Sequence, residues 1–204
     1  MAEDALIDSV AGLVLAAGVS ERFGSDKRQA YLSADRQLLS ATLAVPCAVL
    51  SDVYVVLRAD DQIGRLNLPD KIAPIHCQQA ALGMGHSLAC GIEWLLNYSN
   101  AAAVAVFLGD MPWLREHTLR HLLKEASESH IVLPFYAGQR GHPVIFGRNF
   151  WSELAQIKGD TGGRDVIKRH PEVLQIVELD DVGLITDVDT PHALLDPPVD
   201  LKCR

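Results

Sequence analysis

Residues 13–27 join a short apolar run to a basic loop that contains two glycines. The segment reads Leu-Val-Leu-Ala-Ala-Gly-Val-Ser-Glu-Arg-Phe-Gly-Ser-Asp-Lys. Small residues at 16–18 let backbone N–H groups approach a ligand, and Arg22 and Lys27 add two positive charges. These are the donors that a triphosphate requires, although an ordinary turn from strand to helix with two solvated cations uses the same residue types. The segment is therefore a candidate nucleotide-binding turn.

Two separate parts of the chain offer carboxylates to a metal ion. Asp110 follows the apolar run 102–108, at a strand end where ligands collect in open α/β sheets. Asp187 and Asp189 alternate in an extended stretch, so both side chains can face one ion. Mg²⁺ prefers such oxygen ligands together with substrate phosphates. A turn aspartate at Asp110 and a helix cap at Asp189 before Pro191 are the simpler alternatives, but the combination with the glycine turn favours a magnesium site.

Two further loops are suited to a second substrate. Residues 138–143 read Gly-Gln-Arg-Gly-His-Pro between two strand-like runs, and residues 159–164 read Gly-Asp-Thr-Gly-Gly-Arg before a helix. Glycines at a helix start leave N–H groups for an anion, and Arg164 adds a guanidinium. His142 either contacts this substrate or fixes the turn before Pro143.

Apolar runs of strand length alternate with helix-like segments along the chain. The runs cover residues 13–17, 53–57, 102–108, 131–135, 144–146 and 173–179. The predicted helices cover residues 38–45, where Pro46 ends or kinks the first of them, and 82–96, 116–128, 148–157, 162–170 and 191–195. The alternation predicts an α/β sandwich.

The composition predicts one domain. With 204 residues, 49% of them hydrophobic, the chain can bury one sizeable core, which we expect over about 10–195, with a loosely held tail from Asp196. The formal net charge of −8 argues against nucleic acid and anionic membranes as partners. The acidic N-terminus lacks the pattern of a signal peptide and no 18-residue apolar stretch occurs, so we expect a cytoplasmic protein. Four scattered cysteines are typical of reduced thiols.

Two familiar nucleotide loops do not fit the glycine turn. A P-loop has four residues between its glycines and Lys directly after the second, whereas five residues separate Gly18 from Gly24 and Lys27 lies three positions further on. The Gly-x-Gly-x-x-Gly fingerprint of nicotinamide oxidoreductases is also absent from this turn.

The turn instead resembles the signature of the nucleotidyltransferases that attach a nucleotide to molybdopterin, Leu-Ala-(Ala/Gly)-Gly-x-Ser-x-Arg-x-Gly-x-x-Lys. Its fixed positions fall on Leu15, Ala16, Ala17, Gly18, Ser20, Arg22, Gly24 and Lys27. Residues 140–143 and 159–164 resemble the family's Arg-Gly-His-Pro and Gly-Asp-x-Gly-(Ala)-Arg motifs, and residues 187–191 its Asp-x-(Asp/Asn)-Thr-Pro motif. The resemblance extends over about residues 10–195.

The resemblance implies a Mg²⁺-dependent enzyme that transfers a nucleoside monophosphate from a nucleoside triphosphate to the terminal phosphate of molybdopterin and releases pyrophosphate. It also implies a three-layer α/β/α sandwich with a mostly parallel, Rossmann-like sheet of the glycosyltransferase-A type. Ala17 stands where guanylyl-transferring relatives carry Gly, which favours CTP and the molybdopterin cytidylyltransferases. Gly85 and His86 depart from the Gly-Met-Ser-Ser-Ser-Leu typical of that branch, where the N–H groups at a helix start favour phosphate or a base edge.

The resemblance also implies roles for individual residues. The catalytic residues would be Arg22, Lys27 and Asp110. The nucleotide would contact Leu15, Ala16, Ala17, Gly18, Ser20, Arg22, Lys27, Gly83, Ser87 and Asp110. The acceptor would contact Arg140, Gly141, His142, Asp160, Gly162 and Arg164. The Mg²⁺ ligands would be Asp110 and Asp189, with Asp187 as a weaker candidate.

Several alternatives remain open. The enzyme could transfer GMP to molybdopterin, or a cytidylyl group to another phosphorylated small molecule such as a sugar phosphate or an isoprenoid precursor. A carrier of molybdenum cofactor without catalytic activity would keep the glycine turn but would not need the metal ligands. A molybdenum hydroxylase or its chaperone is the expected protein partner.

Overall fold

The computed structural model describes residues 9–20 and 23–195. The strands are β1 (Val10–Leu15), β2 (Tyr31–Ser33), β3 (Arg36–Gln37), β4 (Val53–Arg58), β5 (Ala73–Cys77), β6 (Ala103–Leu108), β7 (Ile131–Tyr136), β8 (Gln139–Arg140), β9 (Val144–Gly147) and β10 (Leu174–Glu178). The α-helices are α1 (Leu38–Val49), α2 (Met84–Tyr98), α3 (Glu116–Leu123), α4 (Trp151–Leu154), α5 (Arg164–Arg169) and α6 (Pro191–Leu195). The tail predicted from residue 196 lies outside the described residues.

The central sheet is mostly parallel, as predicted. Its strand order is β10-β7-β9-β6-β1-β4-β5, and β8 pairs with the carboxyl end of β7. β1 lies parallel to both β4 and β6, whereas β9 runs antiparallel to its two neighbours. All six residues of β1 are buried, which is the pattern of a strand covered on both faces.

Helices cover both faces of the sheet, so the predicted three-layer sandwich is confirmed. Alternate side chains of β1 point to opposite faces: Val14 packs in one apolar cluster and Leu13 in the other. The Val14 cluster includes Leu43 of α1 and Leu119 of α3. The Leu13 cluster includes side chains of α2 and α4, such as Leu88 and Trp151.

Strand order reverses at β1, and this places two loops side by side. The chain winds from β1 outward through β4 to β5, then returns to the other side of β1 as β6. Ligands of open α/β sheets bind in the crevice at such a reversal, outside the carboxyl ends of the strands. The turn after β1 and the turn after β6 therefore share one crevice.

The structure differs from the predicted elements: the short strands β2, β3 and β8 were not predicted, and the predicted helix 148–157 is α-helical only over Trp151–Leu154. β5 has no predicted counterpart. α1 continues through Pro46 to Val49, because the residues around the proline pack against the core and Leu50 N–H still bonds to the Pro46 carbonyl. α3 ends at Leu123 rather than at residue 128, in a run of tight turns.

Residues 9–20 and 23–195 contain no helix with both the length and the apolar character that a membrane span requires.

Candidate active site

A cleft of about 530 Å³ lies over the carboxyl ends of β1 and β6. Its lining includes Leu15, Ala16, Ala17, Gly18, Ser20, Lys27, Gly83, Ser87 and Asp110, which are the residues predicted to contact the nucleotide apart from Arg22. Arg22 lies outside the described residues. A Cβ on Gly18 would meet no atom within 4 Å, so this side of the turn is open. The cleft therefore brings together residues from the turn after β1, the turn after β6 and the start of α2.

Three carboxylates meet at one end of this cleft. Asp110, Asp187 and Asp189 each offer an oxygen that lies within 4.8 Å of the other two. The C-terminal pair is held in place because the Val188 N–H donates to the Asp110 carbonyl at 2.9 Å, and the Val188 side chain is fully buried beside Leu38. The structure thus brings together the three residues that were predicted to bind the metal.

Lys27 lies among these carboxylates. Its Nζ donates to Oδ2 of Asp110 at 2.7 Å, to the Val188 carbonyl at 3.0 Å and to Oδ1 of Asp189 at 3.1 Å. Burial alone would lower the pKa of Lys27, but the charges and hydrogen bonds of the two aspartates outweigh burial and raise it. Lys27 is therefore a fixed cation at this end of the cleft.

The cluster is suited to a divalent cation, because one ammonium does not satisfy it. Oδ1 of Asp110 is buried and accepts no hydrogen bond from the described residues. Burial, together with the charges of Asp110 and Asp189, raises the pKa of Asp187, and the opposing charge of Lys27 does not cancel this effect. Oxygen ligands of this kind are those that Mg²⁺ and Mn²⁺ prefer.

The start of α2 packs against the loop at residues 157–163. Gly85 N–H donates to the Gly159 carbonyl at 2.7 Å, and Met84 N–H donates to Oδ1 of Asp160 at 3.3 Å. A Cβ on Gly85 would lie 2.6 Å from the Gly159 oxygen, which explains why this chain has no serine there. The expectation that these N–H groups face a ligand is wrong for Met84 and Gly85, since both bond within the protein. Gly83 and Ser87 still line the cleft.

The residues predicted for the acceptor are dispersed around this cleft. Asp160 lines it, whereas Arg140, Gly141, His142, Gly162 and Arg164 do not. His142 is followed by a cis peptide bond to Pro143, and its N–H donates to the Leu184 carbonyl at 2.8 Å.

The His142 ring links the acceptor loops to the carboxylates. Burial lowers the pKa of His142; a hydrogen bond with the Val106 backbone and the charge of Asp110 act against this, and the charge of Arg164 adds to it. Its Nδ1 is buried without a hydrogen-bond partner among the described residues. The ring therefore lies within electrostatic range of both Asp110 and Arg164.

Sequence reasoning missed Arg28, which also lines the cleft. Its side chain is 5% exposed and pairs with Asp26 and Asp61. Arg28 lies one position beyond the last fixed residue of the signature, Lys27. The usable signal was Asp61, just after the predicted strand 53–57, because a buried arginine needs carboxylates nearby.

The sequence matches the family model described as "MobA-like NTP transferase domain" over residues 12–173. The chain belongs to this family. As a MobA-like domain it is a nucleotidyltransferase, and its sheet carries the fold of that family.

Individual relatives agree with this assignment. The MobA-like domain is 28% identical to "Purine catabolism protein PucB" of Bacillus subtilis (strain 168). The alignment spans 190 residues and covers 89% of this chain and 92% of PucB. It is also 28% identical to "Nicotine blue oxidoreductase" of Paenarthrobacter nicotinovorans. That alignment spans 199 residues and covers 92% of this chain and 95% of the relative. The structure of Rv0371c from Mycobacterium tuberculosis H37Rv, a complex with manganese, superposes with a TM-score of 0.74 at 26% identity and covers 90% of this chain and 95% of that one.

The MobA-like domain thus combines an open glycine turn with a carboxylate cluster in one cleft. N–H dipoles can bind phosphate oxygens at the turn, and the neighbouring carboxylates can bind a divalent cation. Together these groups can hold a nucleoside triphosphate with its α-phosphate near the cluster.

Proposed function

We propose that this chain transfers CMP from CTP to the terminal phosphate of molybdopterin and releases pyrophosphate, with Mg²⁺ as the cofactor. The observation that supports this most directly is the meeting of Asp110, Asp187 and Asp189 beside the glycine turn in a single cleft. The signature of molybdopterin nucleotidyltransferases falls on that same turn. The preference for CTP rests on Ala17, and the expected location is the cytoplasm.

The reaction joins two anions, so the protein's task is positioning and charge neutralisation. A terminal phosphate of the acceptor attacks the α-phosphorus while the bond from the α-phosphorus to the pyrophosphate breaks. The attacking phosphate is already ionised, so no residue has to remove a proton. The rate increase comes from alignment of the two reacting groups and from fixed positive charges beside them.

The chain's own groups divide this task. N–H groups of residues 17–19 and the Arg22 side chain bind the phosphates of the nucleotide. Lys27, whose three N–H donors bond to Asp110, Val188 and Asp189, stabilises the charge on the departing pyrophosphate as a nearby cation. Asp110 and Asp189 would hold the cation, with Asp187 as a weaker candidate ligand. A bound Mg²⁺ supplies a fixed positive charge that neutralises phosphate oxygens.

The acceptor approaches from the side of the cleft where Asp160 lies, with the loops at residues 138–143 and 159–164 beyond that lining residue. Arg140 and Arg164 neutralise its phosphate, while Gly141, His142, Asp160 and Gly162 shape its site. The ring of His142 supports this assignment, because it lies within range of Asp110 and Arg164 at once. A molybdenum hydroxylase or its chaperone would receive the product.

An assay with defined substrates tests the proposal. Purified molybdopterin, with and without bound molybdenum, is offered with CTP, GTP or ATP in Mg²⁺, and pyrophosphate and the nucleotide adduct are measured. We expect both products with CTP. If only GTP gave products, GTP rather than CTP would be the nucleotide substrate. If no triphosphate gave an adduct, the proposal would be contradicted.

An oxidoreductase is a second candidate because one relative carries that name. The turn after β1 lacks the glycine fingerprint of nicotinamide enzymes, which argues against it. Thermal unfolding with CTP, GTP, ATP and NAD separates the two, since a ligand that binds only the folded state raises the midpoint. Stabilisation by NAD rather than by triphosphates would favour the oxidoreductase.

A further inference from the structure

The guanidinium of Arg28 is buried, and all five of its N–H donors are used. Nε donates to Oδ1 of Asp26 at 2.8 Å and Nη2 donates to Oδ2 of the same carboxylate at 2.7 Å. Nη1 and Nη2 donate to the two oxygens of Asp61 at 2.5 and 2.6 Å. The remaining proton of Nη1 goes to the Ala16 carbonyl at 2.9 Å. Arg28 lines the nucleotide cleft but has no proton left for a phosphate.

A second arginine continues the same arrangement. The Arg58 guanidinium donates to the Gly18 carbonyl through Nη2 and to the Ala17 carbonyl through Nε, the latter at 3.4 Å. The backbone N–H of Arg58 donates to Oδ2 of Asp61 at 2.8 Å. Two arginines therefore bind the carbonyls of three successive residues in the turn.

These bonds fix the direction of the opposite N–H groups. Peptide bonds in the turn are trans, so each N–H points away from the preceding carbonyl. Carbonyls of residues 16–18 that face the arginines turn the N–H groups of residues 17–19 to the other side. Those three N–H groups donate to no other residue in the described part of the chain. They are the donors that the proposed function assigns to the phosphates.

The charge balance of the cluster explains why it holds its geometry. Burial would raise the pKa of Asp26, but hydrogen bonds and charge from Arg28 lower it to about 2, so the carboxylate stays ionised at neutral pH. Asp61 likewise has its pKa lowered by Arg28 and the Arg58 N–H in spite of burial. Two bidentate carboxylates hold the planar guanidinium of Arg28 in a single orientation. An ammonium in its place would not be held in this way, because it has no planar set of donors.

We propose that Arg28, held by Asp26 and Asp61 and assisted by Arg58, is a positioning residue that orients the turn's N–H groups toward the nucleotide triphosphate. This inference rests on the proposed function of the same cleft. It assigns to Arg28 no contact with substrate: the residue acts through the backbone of residues 16–18.

Two variants with a matched control test the inference. Arg28→Lys keeps the charge and removes the planar fork, and Asp61→Asn keeps Arg28 but weakens its hold. Arg148→Lys is the control, because Arg148 also donates to two carbonyls, those of Ser99 and Ala101, at the opposite end of β6. Calorimetry measures binding of CTP and of CMP with Mg²⁺ to each protein, and hydrogen exchange measures the amides of residues 17–19.

We expect Arg28→Lys and Asp61→Asn to weaken CTP binding by about tenfold or more, the scale of hydrogen bonds to charged groups. The affinity for CMP, which has one phosphate, should fall much less. CTP should slow hydrogen exchange at the amides of residues 17–19 in the wild type and slow it less in the two variants. Arg148→Lys should change neither quantity. A purely structural role for Arg28 would weaken CTP and CMP binding by the same factor.

The possible failures are distinguishable. If the wild-type protein binds no nucleoside triphosphate, the proposed function itself is wrong. If the wild type binds CTP and both variants bind it equally well, only the role of Arg28 is overturned. If Arg28→Lys does not fold, Asp61→Asn and Arg58→Lys test the inference instead. Both should lose more affinity for CTP than for CMP, and equal losses would overturn the role of Arg28.

Discussion

Nζ of Lys27 lies 2.7 Å from Oδ2 of Asp110, although 83 positions separate the two residues. The same nitrogen lies 3.1 Å from Oδ1 of Asp189, from the far end of the chain. Lys27, at the end of the nucleotide turn, thus contacts both segments that carry the carboxylates. Because the ammonium and a divalent cation would use the same oxygens, Lys27 and the metal compete for them.

Replacement of Lys27 by Met tests this competition. Without the ammonium, the three carboxylates face one another, so the metal-free protein should unfold at a lower temperature. Mn²⁺ should bind at least about tenfold more tightly, since an opposing unit charge at this distance is removed. Electron paramagnetic resonance of free Mn²⁺ gives the affinity. Lys168→Met, on an exposed helix surface, is the control, and weaker Mn²⁺ binding by the Lys27 variant would contradict the competition.

Substitution of Gly85 by Ala should destabilise the protein, against the usual trend. Alanine inside a helix normally gains about 0.5–1 kcal/mol over glycine. Here the new Cβ would lie 2.6 Å from the Gly159 carbonyl oxygen, a backbone atom, and overpacking of this kind costs about 1–3 kcal/mol.

Urea unfolding gives the free energy of unfolding of Gly85→Ala, of the control Gly64→Ala and of the wild type. A Cβ on Gly64 meets nothing within 4 Å, so that variant should be neutral or slightly more stable. If both variants gain stability, the close packing of the 157–163 loop on α2 is not as described.

Asp26 predicts a pH dependence of stability. Its pKa is about 2 in the folded protein against an ordinary value of 3.8, because bonds to Arg28 outweigh the opposing effect of burial. A lowered carboxyl pKa adds stability that is complete above the ordinary value and disappears as the pH falls through the folded value. The free energy of unfolding of the wild type should therefore fall more steeply than that of Asp26→Asn between about pH 4 and pH 2.

The measurement is urea unfolding at several pH values in this window. Arg148→Lys supplies the control, since its carbonyl contacts involve no carboxylate and its curve should run parallel to that of the wild type. Parallel curves for the wild type and Asp26→Asn would show that Arg28 does not hold the ionised carboxylate.

The parallel core of the fold could be predicted from the sequence, because strands covered on both faces are continuous apolar runs. β5 could not, since Pro74 and His76 interrupt its apolar pattern; an edge strand tolerates both. The helix through Pro46 also followed packing rather than local preference. Local rules thus failed where tertiary contacts decided.

The carboxylate site was predictable for a topological reason. Asp110 follows a central strand and Asp189 precedes the last helix, and ligand residues collect at the carboxyl ends of a parallel sheet. The contacts of Lys27 and the burial of Arg28 were not predictable, because both depend on which carboxylates the folded chain brings within reach. Spacing in the sequence does not contain that information.

Pyrophosphate release by Asp110→Ala is the most direct measurement of the central claim, that carboxylates from two distant segments and the glycine turn form one catalytic cleft. With CTP, Mg²⁺ and molybdopterin, we expect turnover to fall on the order of 10²-fold or more, the scale for loss of a preorganised electrostatic group. Asp165→Ala, on the exposed side of α5, should retain wild-type turnover. Near-normal pyrophosphate release by Asp110→Ala would contradict the account.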